Sequence, residues 1–343
     1  MSTERAERVT ISDIAARLAI SKASVSYALN GRPGVSSETR RKVLELADEL
    51  GFQASSAAVA LSASRSGTIG LVIARDPSVI TAEGFYMRTL FGVEEYLNDA
   101  DASLLLRLTG ERGEDLDVYR RWARQRRVDG FLLYDEHDDD VRIPLLASLG
   151  MPGVLVTSRP GDATIGRLVT PEIETVTVFL DHLRAFGHRR VAHISGPMSY
   201  VHERVRADLL TAEGRRRGME VRHLEGTYAY ESGAERTREL LAGPDRPTAL
   251  FGANDTSAIA AMEVAQELGL SVPGDLSVVG FDNVPEAALA TPSLTTVEQP
   301  IHEMGHRAID LLIQLMHGEA VQNTHIRLAT RLVVRQSTAR SGS

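Results

Sequence analysis

Cysteine is absent from all 343 residues, which removes disulfides, thiolate metal sites and cysteine nucleophiles together. Lysine is almost absent: Lys22 and Lys42 are the only two, so arginine carries most of the positive charge. No run approaches the ~18 apolar residues of a membrane span. The start, MSTERAERVT, carries charges of both signs and no apolar core, unlike a secretory leader. A soluble, cytoplasmic protein without membrane contact is expected. Enzyme signatures are missing as well. There is no GxSxG elbow, no GxxxxGK[ST] loop, no HExxH, and no GxGxxG after the first strand candidate. Ten histidines occur, yet His302 and His306 have no evident third ligand, and His182 and His188 flank a helix end, where His suits the dipole. No catalytic residue, metal or cofactor is expected.

What is present suggests several domains, because 343 residues exceed one compact core. The net charge of −8 is unevenly spread. Residues 1–66 hold 9 basic and 7 acidic side chains, whereas the remainder holds 29 against 39. A mildly basic head on an acidic body fits a nucleic-acid-binding module joined to a ligand-binding one.

The head centres on Thr10–Asn30, TISDIAARLAISKASVSYALN. Thr10 with Asp13 three residues on forms a helix-start signal, and Ser21 is a second N-cap. Ile11, Ile14, Ala15 and Leu18 give the first helix an apolar face, and Val25, Ala28 and Leu29 give one to the second. Ala19-Ile20 makes the break. The outward side of the second helix keeps Lys22, Ala23, Ser24, Ser26 and Tyr27, a short polar face suited to a DNA major groove or to an ordinary helical corner. Ser36 caps a third helix with an inner stripe of Val43, Leu46, Ala47 and Leu50, ended by Gly51, and Phe52 can close the core.

Residues 53–66, QASSAAVALSASRS, have the composition of a flexible linker. They also contain about two turns of helix-compatible sequence, too short to be stable alone, so folding upon binding is the other reading. From Gly67 onward short apolar runs alternate with helix-length segments. Strands are expected at 68–74, 103–108, 129–134, 153–157, 190–195, 220–223, 249–252 and 276–281. Helices are expected at 85–98, 114–125, 144–149, 172–186, 202–217, 233–241 and 255–268. Such alternation implies parallel sheets covered by helices. The number of units implies two doubly wound subdomains, with a ligand cleft at the carboxyl ends of their strands.

The head, with VSSETRRKVLELADELGF, resembles the lactose-repressor (LacI/GalR) family of transcription regulators. GTIGLVIA, RRVDGFLLY, FGHRRVAHISGP, ANDTSAIAAMEVAQELGLSVPGDLSVVGFDN, SLTTVEQP and LVVRQSTAR resemble that family in the same order along nearly the whole chain. The resemblance implies an all-α helix-turn-helix head over residues 1–53, a hinge helix over 54–66, and a periplasmic-binding-protein-like α/β core over 67–343. Lobe one of that core would be about 67–169 plus 300–327, and lobe two about 170–299 plus 328–338. It further implies a homodimer, or a dimer of dimers, on a near-palindromic double-stranded operator.

Carried over by position, Lys22, Ala23 and Tyr27 would read bases. Ser21, Ser24 and Ser26 would be phosphate-contacting or turn residues that position the helix, or equally caps and solvated surface, and Thr10 and Asn30 at the ends of the unit are further DNA-binding candidates. Leu61 would wedge into the central base step with Ala58 beside it. Many relatives have arginine where Tyr27 stands, and Pro-Asn where Ala54 and Ser55 stand. Asn254, Asp282 and Arg206 match positions that bind polyol hydroxyls. Phe85 and Tyr86 match aromatics of the other lobe, Tyr228 an aromatic that stacks on a sugar, and Gln299 a crossover position. The alternative for Phe85 is a core aromatic, and for Asp282 a cap of the following segment. Where many relatives have Asp-Asn, this chain has Pro171-Glu172, so effector contacts there should differ.

The implied function is repression of carbohydrate-utilisation genes, relieved when a small sugar changes the angle between the lobes and melts the hinge helices. A nucleobase or amino-acid effector, acting as inducer or co-repressor, is the alternative on the same scaffold.

Overall fold

Short polar side chains start each helix of the head. The backbone N–H and the hydroxyl of Thr10 both donate to the Asp13 carboxylate at 2.8 Å, ahead of α1 (Ile11–Leu18). Ala19 closes that helix in the left-handed region at φ +54. Ser21 Oγ accepts the Ser24 N–H at 3.0 Å to begin α2 (Lys22–Leu29), and Ser36 Oγ accepts the Thr39 N–H at 3.1 Å to begin α3 (Ser37–Glu49). Ile14, Val25 and Val43 meet fully buried at the centre, with Ala15, Ala28 and Ala47 between them and Phe52 packed against the group. Leu29, Leu46 and Leu50 sit at the rim of this core, half-buried, rather than inside it.

The structure is a computed structural model. It describes residues 9–52, 65–75, 80, 84–100, 102–110, 113–161, 164–170, 172–319 and 330–342. Residues 1–67 and 68–343 form two separate compact units. Ala58 and Leu61, the expected hinge positions, lie outside the described residues.

The body alternates strand and helix as its sequence pattern suggests. In chain order it runs β1 (Thr68–Ala74), α4 (Gly84–Asp99), β2 (Ser103–Thr109), α5 (Glu114–Arg124), β3 (Gly130–Leu133), α6 (Arg142–Ser148), β4 (Gly153–Thr157) and β5 (Gly166–Val169). There follow α7 (Glu172–Ala185), β6 (Arg190–Ser195), α8 (Val201–Arg216), β7 (Glu220–Glu225), α9 (Tyr230–Leu241), β8 (Ala249–Gly252), α10 (Asp255–Glu267) and β9 (Ser277–Phe281). The chain ends through α11 (Pro285–Leu289), β10 (Thr295–Glu298), α12 (Ile301–Met316) and β11 (Arg331–Val333).

Two sheets result, ordered β2-β1-β3-β4-β5 and β11-β10-β9-β8-β6-β7. Setting aside β11, which pairs antiparallel with β10, both sheets follow the same parallel winding, with the second strand outermost beside the first. β3, β4, β8 and β9 are buried along their whole length, as strands covered on both faces must be.

Helix α12 returns the chain to the first lobe. Met304, Ala308, Ile309 and Leu312 join Ile69, Leu71, Val93 and Leu132 in one core cluster. Two glycines allow α4 and α12 to touch backbone to backbone. A methyl at Gly92 would lie 2.0 Å from the His302 carbonyl oxygen, and one at Gly305 would lie 2.4 Å from that of Thr89. The pattern does not set apart strands β5, β10 and β11 or helices α11 and α12. β5 and β10 are four residues each and α11 is five, while α12 begins directly after a proline. Among the described residues no helix is long and apolar enough to cross a membrane.

Candidate functional site

Two surfaces have functional character, one on each unit. On the head, Lys22, Ala23 and Tyr27 are exposed, with Tyr27 retaining 40 % of its surface to solvent. The Tyr27 ring is steadied from one side, since a methyl on Gly34 would come within 3.1 Å of it. The serines of the same helix are engaged locally. Ser21 caps the helix and shares a hydrogen bond with the Ser24 hydroxyl at 2.9 Å, while the Asn30 amide donates to the Ser26 carbonyl at 2.8 Å and to its hydroxyl at 3.3 Å. The face therefore divides into side chains directed outward and side chains that fix the helix.

In the body, the carboxyl ends of the strands of both sheets converge on one cavity between the lobes, as doubly wound sheets favour. Phe85, Arg206, Tyr228, Asn254, Asp282 and Gln299 all line it. Tyr86 does not. Its ring is buried and borders a second cavity that Arg75, Tyr134 and Asp135 also line, and its hydroxyl donates to Asp135. Phe85 packs on the lobe-one core and also lines the cavity.

Arg206 sits on the second turn of α8 with its guanidinium held on two sides. Nε and Nη2 donate to Glu172 at 3.0 and 3.2 Å, Nη1 donates to Glu203 at 2.8 Å, and the plane lies 4.2 Å from the Phe281 ring centre. Burial alone would weaken its charge, but the two carboxylates outweigh burial and raise its pKa. Burial likewise works against the charge on Glu203, and Arg206 overcomes it, so that carboxyl is lowered. Tyr228 joins the same network. Its hydroxyl donates to Glu203 at 3.0 Å and shares a 2.8 Å hydrogen bond with His202 Nε2. Gly196 leaves room for that ring, because a methyl there would overlap it at 2.0 Å.

Asp282 lies at the end of β9 in the left-handed region, φ +94, a strained backbone for a non-glycine residue. Its N–H bonds the Val297 carbonyl at 2.8 Å, and Gln299 donates to its Oδ1 at 2.8 Å. It does not cap α11. Burial pushes its carboxyl up to about 6. Asn254 is occupied structurally: Oδ1 accepts the Ser257 N–H at 2.8 Å to cap α10, and Nδ2 donates to the Tyr228 carbonyl at 3.0 Å.

Position-matching passed over the opposite wall. Arg75, just past β1, forms a forked pair with Asp135, just past β3, at 2.7 and 2.8 Å. Burial would raise Asp135, yet Arg75 holds it at about 2. The Arg75 guanidinium also lies 4.8 Å from the Tyr228 ring centre and 4.9 Å from that of Tyr200, both in the other lobe. The strand-end rule that singles out Asn254 and Asp282 applies equally to Arg75 and Asp135. Glu203, three residues before Arg206 on one helix, was also open to detection.

Further bonds join the lobes. Arg88 donates to the Asp282 carbonyl at 2.6 Å, Val201 N–H to the Glu136 carbonyl at 2.8 Å, and Arg204 pairs with Asp138 at 2.5 Å. The histidines serve structure elsewhere. His182 bonds Thr338, and His188 bonds Thr248 and the Ala339 carbonyl.

Comparison with known proteins gives the family of the chain. The model of the lacI family of bacterial regulatory proteins matches residues 10–55, and that of the periplasmic binding protein-like domain matches residues 180–338. The HTH-type transcriptional regulator CelR of Thermobifida fusca is 31 % identical over 352 residues, covering 97 % of this chain and 99 % of CelR. The chain belongs to the lacI family. It is a helix-turn-helix, DNA-binding transcription regulator and not an enzyme. Among solved structures, a lac repressor dimer bound to operator and the anti-inducer ONPF superposes with a TM-score of 0.81 at 27 % identity, over 97 % of this chain and all of that one. A CelR–cellobiose complex superposes with a TM-score of 0.73 at 30 % identity, over 96 % of this chain and all of that one.

Proposed function

We propose that this regulator is a cytoplasmic repressor of carbohydrate-utilisation genes, released from its operator by a small sugar bound between the lobes. The observation that carries the effector assignment is Asp282. Gln299 occupies one carboxylate oxygen, and the other accepts no hydrogen bond among the described residues while facing a cavity walled by Phe85, Phe281 and Tyr228. A polar acceptor set among aromatic faces suits a ring bearing hydroxyls. The cellobiose held by CelR supports the same class.

On the DNA side, Lys22, Ala23 and Tyr27 read base edges, and residues 54–66 act as a hinge whose Leu61 and Ala58 enter the minor groove. Two copies assemble through lobe one. Met87 and Phe91, four apart on α4, are 54 % and 63 % exposed, and Leu106 and Leu108 lie exposed on the edge strand β2. The bonds from Arg88, Arg204 and Val201 hold one lobe angle, so an effector that favours another angle shifts the population only through its differential affinity.

Gel retardation on a palindromic operator, with and without a panel of sugars, purines and amino acids, tests this. Retention is expected to need residues 1–66 and to fall when a sugar that also raises the thermal midpoint is added. Retention unchanged by removal of 1–66, or release by a purine alone, would overturn the assignment.

A further inference from the structure

The charge of the effector can be narrowed from the cavity walls. Among the described residues lining the cavity, two guanidiniums, Arg75 and Arg206, face four carboxylates, those of Asp135, Glu172, Glu203 and Asp282. Both cations are already matched. Arg75 is forked onto Asp135, and Arg206 is forked onto Glu172 with a further bond to Glu203. His202, the other basic group among the described lining residues, is lowered by burial, which works against its charge. Ser158 also donates to Glu172 at 2.9 Å, fixing that carboxylate in place against Arg206.

An acid group brought to either arginine must therefore approach within reach of a carboxylate already bonded to it. At such separations like charges repel strongly in a poorly solvated site. A hydroxyl or an ammonium meets the opposite situation. One carboxylate oxygen, the second of Asp282, accepts no hydrogen bond among the described residues and can take a donor, and each terminal guanidinium nitrogen of Arg206 has a second N–H for a neutral oxygen. Glu172 is central to this balance, and it stands at the point where the chain departs from the Asp-Asn of many relatives.

We propose that the cavity selects a polyol that is uncharged or carries an amine, and rejects sugar acids and sugar phosphates, with Glu172 and Glu203 as the residues that enforce the rejection. This rests on the sugar-effector reading above. If it holds, the regulator senses a neutral or amino sugar before any step that oxidises or phosphorylates it.

The test is titration calorimetry on the full chain with sugars matched in skeleton: glucose, glucosamine, glucuronate and glucose 6-phosphate, then the galactose, xylose and cellobiose series. In whichever series binds, the acid or phosphate is expected to bind at least tenfold more weakly than its neutral parent. Glu172→Gln should narrow that gap by raising affinity for the acid, a gain that misfolding cannot produce. An acid that binds wild type as well as or better than its parent overturns the selection. No binding by any sugar, acid or neutral, overturns the effector reading instead. A gap that is present in wild type but unaltered in both Glu172→Gln and Glu203→Gln removes these two residues from the account.

Discussion

Tyr27 on the recognition helix and Arg206 in the effector cavity have both been assigned to ligand contact, yet their surroundings differ in every physical respect. Tyr27 is exposed and rests against a glycine, and the residues that build its helix are other residues: Ser21 caps, Ser26 holds Asn30, and Val25 and Ala28 bury. Arg206 is buried, and the groups it would offer a ligand already hold Glu172 and Glu203. On the head, the side chains proposed to read DNA are not those that build the fold. In the cavity, the side chains proposed to meet the effector also hold the fold. The head should thus accept changes of specificity at little cost in stability, and the cavity should not.

The largest expected effect lies in the cavity. Arg206→Ala leaves two buried carboxylates without their cation, and breaking a buried ionic set this way costs about 3–5 kcal/mol. Trp122, the single tryptophan, is buried in lobe one and reports unfolding of the body without the head. Urea unfolding followed by its fluorescence should show the loss. A loss below ~1 kcal/mol would mean that water already reaches these carboxylates and that the contrast with the head is false.

A second effect comes from Asp255, beneath the same site. Burial pushes its carboxyl up to about 7, against the donors Thr296 at 2.5 Å and the Val284 N–H at 2.7 Å. A carboxyl raised in the folded state keeps its proton after the unfolded chain has lost it. The stability it contributes is full below about pH 4 and drains away as pH rises to about 7. Asp255→Asn removes this drain. The stability of the variant relative to wild type should improve from pH 4 to pH 8, by about 1.4 kcal/mol for each pH unit of displacement. Parallel pH profiles for the two proteins would show that the carboxyl is not raised. Asp282, raised by burial to about 6, adds a smaller total loss of the same sign over a narrower pH window.

The same contrast explains what could be seen in the sequence. Capping and periodicity are local signals, so Thr10, Ser21 and Ser36 marked the three head helices. Alternation gave both sheets because buried parallel strands are continuous apolar runs. The cavity was only half visible. Asn254 and Asp282 follow apolar strands and stood out, but the Arg75–Asp135 fork joins residues 60 apart, and the Glu172–Arg206 fork joins residues 34 apart. Partners chosen by tertiary packing leave no trace in spacing. Tyr86 was matched by family position, and position does not say that its hydroxyl turns to Asp135.

The smallest effect tests the division of labour on α2 itself. Ser21→Ala removes the acceptor of the Ser24 N–H, and loss of such a cap costs about 1 kcal/mol. Tyr27→Ala removes an exposed ring and should leave stability within about 0.5 kcal/mol of wild type. In operator binding the ranking should reverse. Tyr27→Ala is expected to cost about 1–3 kcal/mol and to relax preference at one base pair per half-site, without changing the salt dependence. Ser21→Asn separates cap from contact, because asparagine caps as well as serine and adds no charge. If Ser21 acts only as a cap, Ser21→Asn restores both hydrogen-exchange protection of α2 and operator affinity. Protection restored with affinity still reduced would make Ser21 a DNA contact as well, and folding and recognition would then share a residue on the head just as they do in the cavity.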